Sequence, residues 1–447
     1  MFTLICFITG FGLLFLFGYK LCKLLLPKAD FLEHLSLGFF LGSGIFTILW
    51  FILNWLGIKY SLISGFILLS SLSLILICLE NFFLERKLNK KTLFSFSDFK
   101  QLNLIEKILL AAIIFLCISA LIQTIYWPIR YWDSMVLYDF RAKIFAQTGS
   151  MQDAIARGYF FGYPLLTSLI HTWSYLLGVS NPQFYYGFLY TFLVINFFTN
   201  IKKLKVNRLL SLFITALVAV SPRLFDHTQW AYTNLPYSIY IILGSIYLYW
   251  GIKNKDLGSF ITSALLIGLS TWTRTAEPFW LSCLVMGIAF SLFIKKWLWP
   301  LIYITIFCSI MLPWRMFQSM FGDGGVNVAN QIVSTSVGAV TNFQFSIIRT
   351  TLDFVMINVV NEYLGHFLLL AIILVVKFLI KSKNWFFSFL ILFDLCLTFA
   401  GTLIFVKDTS YWSEIPNSLT RMVMFIPVMV LFLSGEVLGE LRKKDEI

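Results

Sequence analysis

Long apolar runs separated by short basic turns set the pattern of this chain. The runs are close to 20 residues and nearly free of charge, long enough to cross the hydrocarbon core of a bilayer as helices. Met1 to Tyr19 is the first. Leu37 to Ile58 and Ser61 to Leu79 follow, joined by a tight turn at Lys59, and Ile108 to Tyr126 is the fourth. After a longer polar stretch come Tyr185 to Asn200, Leu209 to Ala219 with its flanks, Thr233 to Trp250, Leu257 to Thr273, Pro278 to Ile294 and Trp297 to Pro313. A span within 352–380, Trp385 to Phe405 and Leu419 to Leu438 complete the series. The pattern predicts an all-α polytopic membrane protein with about 13 transmembrane helices.

The basic turns orient it. Lys20, Lys23 and Lys28 lie in one, and Arg86, Lys87, Lys90, Lys91, Lys100 and Lys107 in the next. Lys202, Lys203, Lys205 and Arg208 mark a third, followed by Lys253 and Lys255, Lys295 and Lys296, then Lys377, Lys381 and Lys383. Arg442, Lys443 and Lys444 close the chain. Lysine and arginine collect in cytoplasmic loops, so the N-terminus is expected outside and the C-terminus inside. Residues 127–182, 222–232, 314–347 and 406–418 then face outward. The chain divides into N-terminal helices and a cytoplasmic loop (1–107), a main transmembrane module (108–438) and a cytoplasmic tail (439–447).

One apolar stretch is too short to span. From Pro164 to Gly178 apolar residues occupy one helical face, and Thr167, Ser168, His171, Thr172 and Ser174 mostly the other. Proline suits the first turn and glycine the stop. The stretch reads as a helix lying in the outer interface. If it crossed instead, the basic turn at Lys202 to Arg208 would fall outside.

Composition sharpens the class. The chain is 59% hydrophobic and 13% charged, with a mean hydropathy of +0.83, which excludes a soluble globular domain. A net charge of +12 would point to nucleic acid in a soluble chain; here the basic turns account for it, and no nucleic-acid partner is expected. The 7 cysteines lie mostly within apolar runs without ligand spacing, so neither a disulfide framework nor a metal cluster is expected. The first segment lacks a positive n-region and a cleavage site, and reads as a retained span rather than a signal peptide. No internal repeat is visible, which disfavours a transporter built from inverted halves.

Chemistry concentrates at the outer end, above all in Tyr126 to Gly178. Asp133, within YWDS, can take a proton from an acceptor hydroxyl or hold a divalent cation. It can also cap the helix expected from Ser134. Asp139 is a second acidic candidate, with a pairing to Arg141 or Lys143 as its plainer role. Arg141 and Lys143, within FRAKIF, suit a phosphate; Arg130 and Arg157 are lesser candidates. Tyr163 and His171 flank or lie on the short helix. Trp127, Trp132 and Trp173 suit interface anchors, although aromatic rings also stack on sugars. Arg274 and Glu277 sit three apart at an outer boundary, positioned to pair or to line a site. Asp226, His227 and Asn234 are expected to hold the preceding hairpin. Arg421, at the outer start of the last span, suits an anionic headgroup. Glu362 and His366 lack the HExxH pattern of a zinc site, and GDGG at 322–325 lacks the strand and helix of a nucleotide loop.

An acidic residue in the first large outer loop, basic residues after it, then a proline-led helix: in this order the chain resembles the GT-C superfamily of polytopic glycosyltransferases. The resemblance rests on YWDS with Asp133, FRAKIF with Arg141 and Lys143, and YPLLTSLIHTWSYLLG from Tyr163. It is nearest to the aminoarabinose and protein mannosyl transferases, and covers the topology from about residue 108 onward. The chain departs from the family pattern in lacking an Asp-x-Asp or Glu-x-Asp pair around Asp133. Its helix starts YPLL where HPPL is frequent.

The resemblance implies Asp133 as base or cation ligand, with Mg or Mn as an optional cofactor, and Arg141 and Lys143 as phosphate ligands, with Arg274 and Arg421 matching less specifically. It implies an inverting glycosyltransferase of the bacterial inner membrane, with its site on the periplasmic side. The donor would be a polyprenyl-phosphate-linked sugar; the acceptor an extracytoplasmic glycan, lipid or protein; membrane lipids would surround it. The competing readings are a lipid-linked glycan flippase or transporter, and an O-antigen ligase or polymerase.

Overall fold

The computed structural model describes residues 2–84, 101–156, 162–274, 277–321, 345–408 and 416–445. Every regular element among them is a helix. α1 (Phe2–Leu25), α2 (Phe31–Trp55), α3 (Leu62–Leu84) and α4 (Leu104–Tyr126) come first. The first outer loop holds a π-helical turn (Ser134–Asp139), α5 (Phe140–Thr148), α6 (Met151–Ala156) and α7 (Leu166–Leu176). Then follow α8 (Phe184–Lys203), α9 (Arg208–Ala219), α10 (Pro222–Trp230), α11 (Asn234–Asn254), α12 (Leu257–Thr271), α13 (Trp280–Phe293) and α14 (Trp299–Phe321). The C-terminal part has α15 (Phe345–Val355), a second π turn (Met356–Val360), α16 (Leu364–Leu379), α17 (Phe386–Asp408), α18 (Pro416–Met422) and α19 (Phe425–Asp445).

Among the described residues eight helices are long and apolar enough to cross a membrane, or ten if each of two bent pairs counts as one span. The protein is therefore a multi-pass membrane protein. The expected count of about 13 is higher because it included α12 and α13, of 15 and 14 residues, and α19, which carries Glu436, Glu440 and Arg442. At 1.5 Å per residue α12 and α13 are shorter than the roughly 30 Å core. The expected span within 352–380 is not straight: the helix from Ile348 to Val360 meets α16 at 99°. The helix expected to end at Pro313 continues through it to Phe321.

The two ends of the bundle differ in how helices stop and start. At the basic end, Lys205, Lys255, Lys295 and Lys381 adopt left-handed backbone conformations just past α8, α11, α13 and α16. Asp30, Asn103, Asn207 and Asp256 then cap α2, α4, α9 and α12 by accepting from backbone N–H groups three residues on. The basic residues are largely paired there: Lys20 and Lys23 with Glu80, Lys203 with Glu33, Arg208 with Glu106, and buried Lys377 with Glu436. At the other end α8, α10, α11 and α13 start without a side-chain cap. The turn between α2 and α3 lies at this second end. Gly149 of the first outer loop accepts from Tyr60 N at 2.7 Å and from Asn54 Nδ2 at 2.9 Å.

α11 runs through the centre with its span wholly buried. α1, α3, α4, α14 and α16 present exposed apolar residues outward, among them Ile8, Ile67, Phe115, Leu301 and Ile372, the surface expected where lipid is the solvent. Small residues let backbones meet. Gly18 of α1 lies directly against Gly38 of α2, and a Cβ on Gly18 would overlap the Gly38 carbonyl; Gly42 sits one turn on. Gly18→Ala should lower the thermal midpoint of the detergent-solubilised protein, at a cost of roughly 1–3 kcal/mol for an overpacked contact. Gly12→Ala, which meets nothing within 4 Å, should leave the midpoint unchanged. Equal midpoints for the two variants would refute the close crossing.

The largest departure from expectation is α7. It was expected to lie in the interface with its polar face in water. Instead Leu165 to Ser174 are all buried, and α7 packs against α2, α3 and α5. Its amphipathic pattern reflects a polar partner inside the protein rather than solvent. Trp173, expected as an interface anchor, is likewise in the core, between Phe46, Trp50 and Phe66.

Candidate functional site

The polar face of α7 meets a buried carboxylate. Asp139 ends the π-helical turn, is 3% exposed, and receives three donors. His171 Nδ1 lies 3.2 Å from Oδ1, Tyr175 donates to the same oxygen at 2.6 Å, and Lys143 reaches Oδ2 at 2.9 Å. With Nδ1 protonated, His171 Nε2 accepts from the Tyr186 hydroxyl at 3.4 Å. Burial alone would raise the Asp139 carboxyl; the His171, Tyr175 and Lys143 donors overcome it and hold the group at about 2. Asp139 therefore locks the loop to α7. It is not poised to take a proton, and Lys143, expected as a phosphate ligand, is tied to it.

A carboxyl held below its ordinary value of 3.8 stabilises the fold by about 2 kcal/mol. That contribution is complete above pH 4 and is lost as the pH falls toward 2. Asp139→Asn should therefore melt several degrees below wild type at pH 7, with the gap closing as pH drops through this window. A gap that stays constant with pH would contradict the assignment.

Arg141, the other expected phosphate ligand, is also turned inward. It is 1% exposed. Its Nε donates to Ser168 at 3.0 Å, and its two terminal nitrogens donate to the carbonyls of Tyr163 and Pro164 at 3.0 and 3.2 Å. Ser168 in turn donates to Tyr138 O at 2.9 Å. Burial pushes the guanidinium down to about 10, so it stays charged near neutrality. Pro164 has no N–H and its carbonyl precedes the helix, so this buried turn needs a donor from elsewhere. Arg141 supplies it.

Asp133 differs. It occupies the cap position before the π turn but makes no capping bond. No hydrogen bond or ion pair to its carboxylate is present among the described residues. It is half-buried, and its charge acts on Tyr232, whose hydroxyl also bonds the Arg421 side chain. The Arg421 guanidinium lies 5.2 Å from the Tyr232 ring centre, and its Nη2 donates to Ser418 at 3.2 Å.

The hub of this region is α10 and the turn after it, to which the sequence pattern assigned only a holding role. Ala231 takes a left-handed conformation, φ 54°, so Trp230 and Tyr232 flank a sharp reversal. Ser134 donates to Trp230 O, which ties the Asp133 segment to the hub. Arg130 donates to Gln229 at 3.2 Å and lies over the Trp127 and Tyr131 rings. Thr233 and Asn234 accept from Arg274 at 3.1 and 3.2 Å, and Arg274 forms the expected pair with Glu277. Burial would lower the Arg274 guanidinium; Glu277 overrides it and raises it. Arg274 also stacks on Tyr163, 5.2 Å from its centroid. Arg223 bonds Glu362 at 2.7 Å, which removes Glu362 from any zinc pairing with His366. His227 is buried within range of the charges of Arg421, Arg223 and Arg274.

No protein-family model, curated protein or solved structure matches this chain. Four segments distant in sequence converge at the end opposite the paired lysines: the loop at Tyr131–Asp133, the hub at 223–234, the Arg274–Glu277 corner and α18. They assemble two carboxylates without a hydrogen bond or ion pair among the described residues, Asp133 and Asp226, with three arginines and a group of aromatic rings. Asp133, Arg274, Glu277, Tyr163 and Arg421 belong to this group. Asp139, Arg141, Lys143 and His171 belong to the lock beside it. Tyr131, Trp230 and Tyr232 are additions from the structure, and Arg223, one of the charged residues expected on the outer side, joins them. The aromatic content of PRLFDHTQWAY was the one signal for Trp230 and Tyr232. Among the described residues no three His, Cys, Asp or Glu side chains come together as metal ligands, a donor set that does not fit an Mg or Mn site. Arg157 and the GDGG turn lie outside the described residues.

Proposed function

We propose that this protein is an inverting membrane glycosyltransferase that moves a sugar from a polyprenyl-phosphate carrier to an acceptor at the outer face of the bacterial inner membrane. What carries the reading is a carboxylate without a bond among the described residues, Asp133, whose charge acts on Tyr232, the ring that the Arg421 guanidinium covers. Asp133 takes the proton of an acceptor hydroxyl. The acceptor oxygen attacks the anomeric carbon from the face opposite the carrier. The bond from that carbon to the phosphate oxygen breaks, and the phosphate leaves with the electron pair. Arg421 offsets the charge that develops there, helped by the charge of Arg274. Lys143 and Arg141 support this arrangement through the loop instead of binding phosphate. The positive-inside rule puts the lysine-rich end in the cytoplasm and this site outside. The finer count of 13 crossings requires α12, α13 and α19 to cross as well.

Membranes containing the protein, supplied with labelled polyprenyl-phosphate sugars, should pass label to an acceptor with inverted anomeric configuration. Label that stays on the carrier with every sugar tried would overturn the reading. The 99° break before α16 favours a second reading, a flippase of lipid-linked glycans, since broken helices mark many transporters. That reading expects carrier-bound label to change leaflets without any transfer.

A further inference from the structure

We propose that Tyr131, Trp230 and Tyr232 form a cradle that holds a pyranose ring against Asp133. The proposal rests on the glycosyltransferase reading and assigns its sugar subsite.

The three rings form a closed group. Tyr131 and Trp230 have centroids 5.8 Å apart, Trp230 and Tyr232 5.9 Å, and Tyr131 and Tyr232 6.3 Å. Each is half-buried. That separates them from Trp132, 73% exposed one residue along, which has the exposure of an interface anchor. The rings are also held in place. The His227 ring packs on Trp230 with centroids 4.5 Å apart, and its Nδ1 donates to the Arg223 carbonyl at 2.7 Å. Arg421 covers one side of Tyr232. The Ser134 bond to Trp230 O holds the loop bearing Tyr131 and Asp133 against the hub.

The chemistry of this group selects its ligand. A pyranose carries a patch of C–H bonds on its ring face and hydroxyls around its edge. The first suits an aromatic face, and the second suits a carboxylate acceptor and a guanidinium donor at the rim. Asp133 lies two residues past Tyr131 and its charge reaches Tyr232, which Arg421 covers. An isoprenoid or acyl chain would gain from the rings but would bury the Asp133 carboxylate with nothing to offset its charge, at a cost of several kcal/mol. An inorganic anion would use Arg421 and gain nothing from three rings. Because Asp133 is both hydroxyl acceptor and proposed base, a sugar bound here sits with a hydroxyl at the reacting position, which makes this the acceptor subsite.

Saturation-transfer NMR on the full-length protein in lipid nanodiscs, with methyl glycosides of neutral and amino pyranoses, reads the cradle directly. Saturation should reach ring C–H protons of at least one glycoside. Trp230→Leu should reduce it at least tenfold, and Tyr131→Leu, in the same ring group, should do the same if Trp230→Leu fails to fold. Trp132→Leu should leave it unchanged. No saturation of any glycoside by wild type would overturn the cradle, as would equal saturation in wild type and both folded cradle variants. Saturation lost in the variants, with no sugar transfer from any labelled carrier, would keep the cradle and remove the transferase reading. Transfer with an acceptor KM unmoved by either variant would remove the cradle and keep the reading.

Discussion

Asp133→Asn should reduce sugar transfer by about 10²–10⁴-fold, the usual worth of a positioned general base, while the protein folds and inserts as wild type does. The two halves of that expectation have separate causes. The loss of rate follows from removing the proton acceptor while keeping the shape of the side chain. The intact fold follows because the Asp133 carboxylate neither caps the π turn nor engages a hydrogen bond or ion pair among the described residues. The measurement is initial transfer rate from a labelled polyprenyl-phosphate sugar, set beside the melting midpoint of the same preparation. Equal rates for variant and wild type would remove Asp133 from the chemistry. A midpoint that falls with the rate would make it a structural residue instead. Raising the pH should not rescue the asparagine, which has no proton to lose in the accessible range.

Arg141→Leu should have the opposite signature. The variant should be destabilised by about 3–5 kcal/mol, the range for stripping the charged partner from a buried polar network. Leucine fills much of the space but donates nothing. The Tyr163 and Pro164 carbonyls and the Ser168 hydroxyl would lose a buried charged donor. Their only compensation would be water, admitted to the seam between α5 and α7. The expected readout is a large drop in folded yield and melting midpoint. Arg141→Lys should recover part of it, since one ammonium cannot reach three acceptors set out for a planar fork. If Arg141 bound a lipid phosphate instead, Arg141→Leu would melt like wild type and lose only binding of the carrier.

The contrast between these residues shows where sequence reasoning reached and where it stopped. Asp133, Arg274, Glu277 and Arg421 were visible because ionisable groups beside apolar runs are costly and have few uses. Asp139, Arg141 and Lys143 carried the same local signal as Asp133, within ten residues of it. Nothing local says that the π turn points Asp133 outward and Asp139 inward. The helix from Leu166 to Leu176 reads as amphipathic, and its pattern is equally satisfied by water or by Asp139, Arg141 and Tyr186. Only the packing of α2, α3 and α5 around it chooses the second. Tyr131, Trp230 and Tyr232 were missed because the loop and the hub are about 100 residues apart, and aromatic residues at a membrane boundary ordinarily mean an anchor.

The amino-acid order was enough to establish an all-helical, multi-pass membrane protein whose lysine-rich turns lie at one end and whose chemical groups lie at the other. It sufficed because span length, helix caps and the placement of basic residues depend on a few neighbouring positions and on the bilayer. Which charged residues are bonded and which are left unbonded was decided by the tertiary structure alone. That outcome depends on which helices bury which faces, and such contacts join positions that no local period connects.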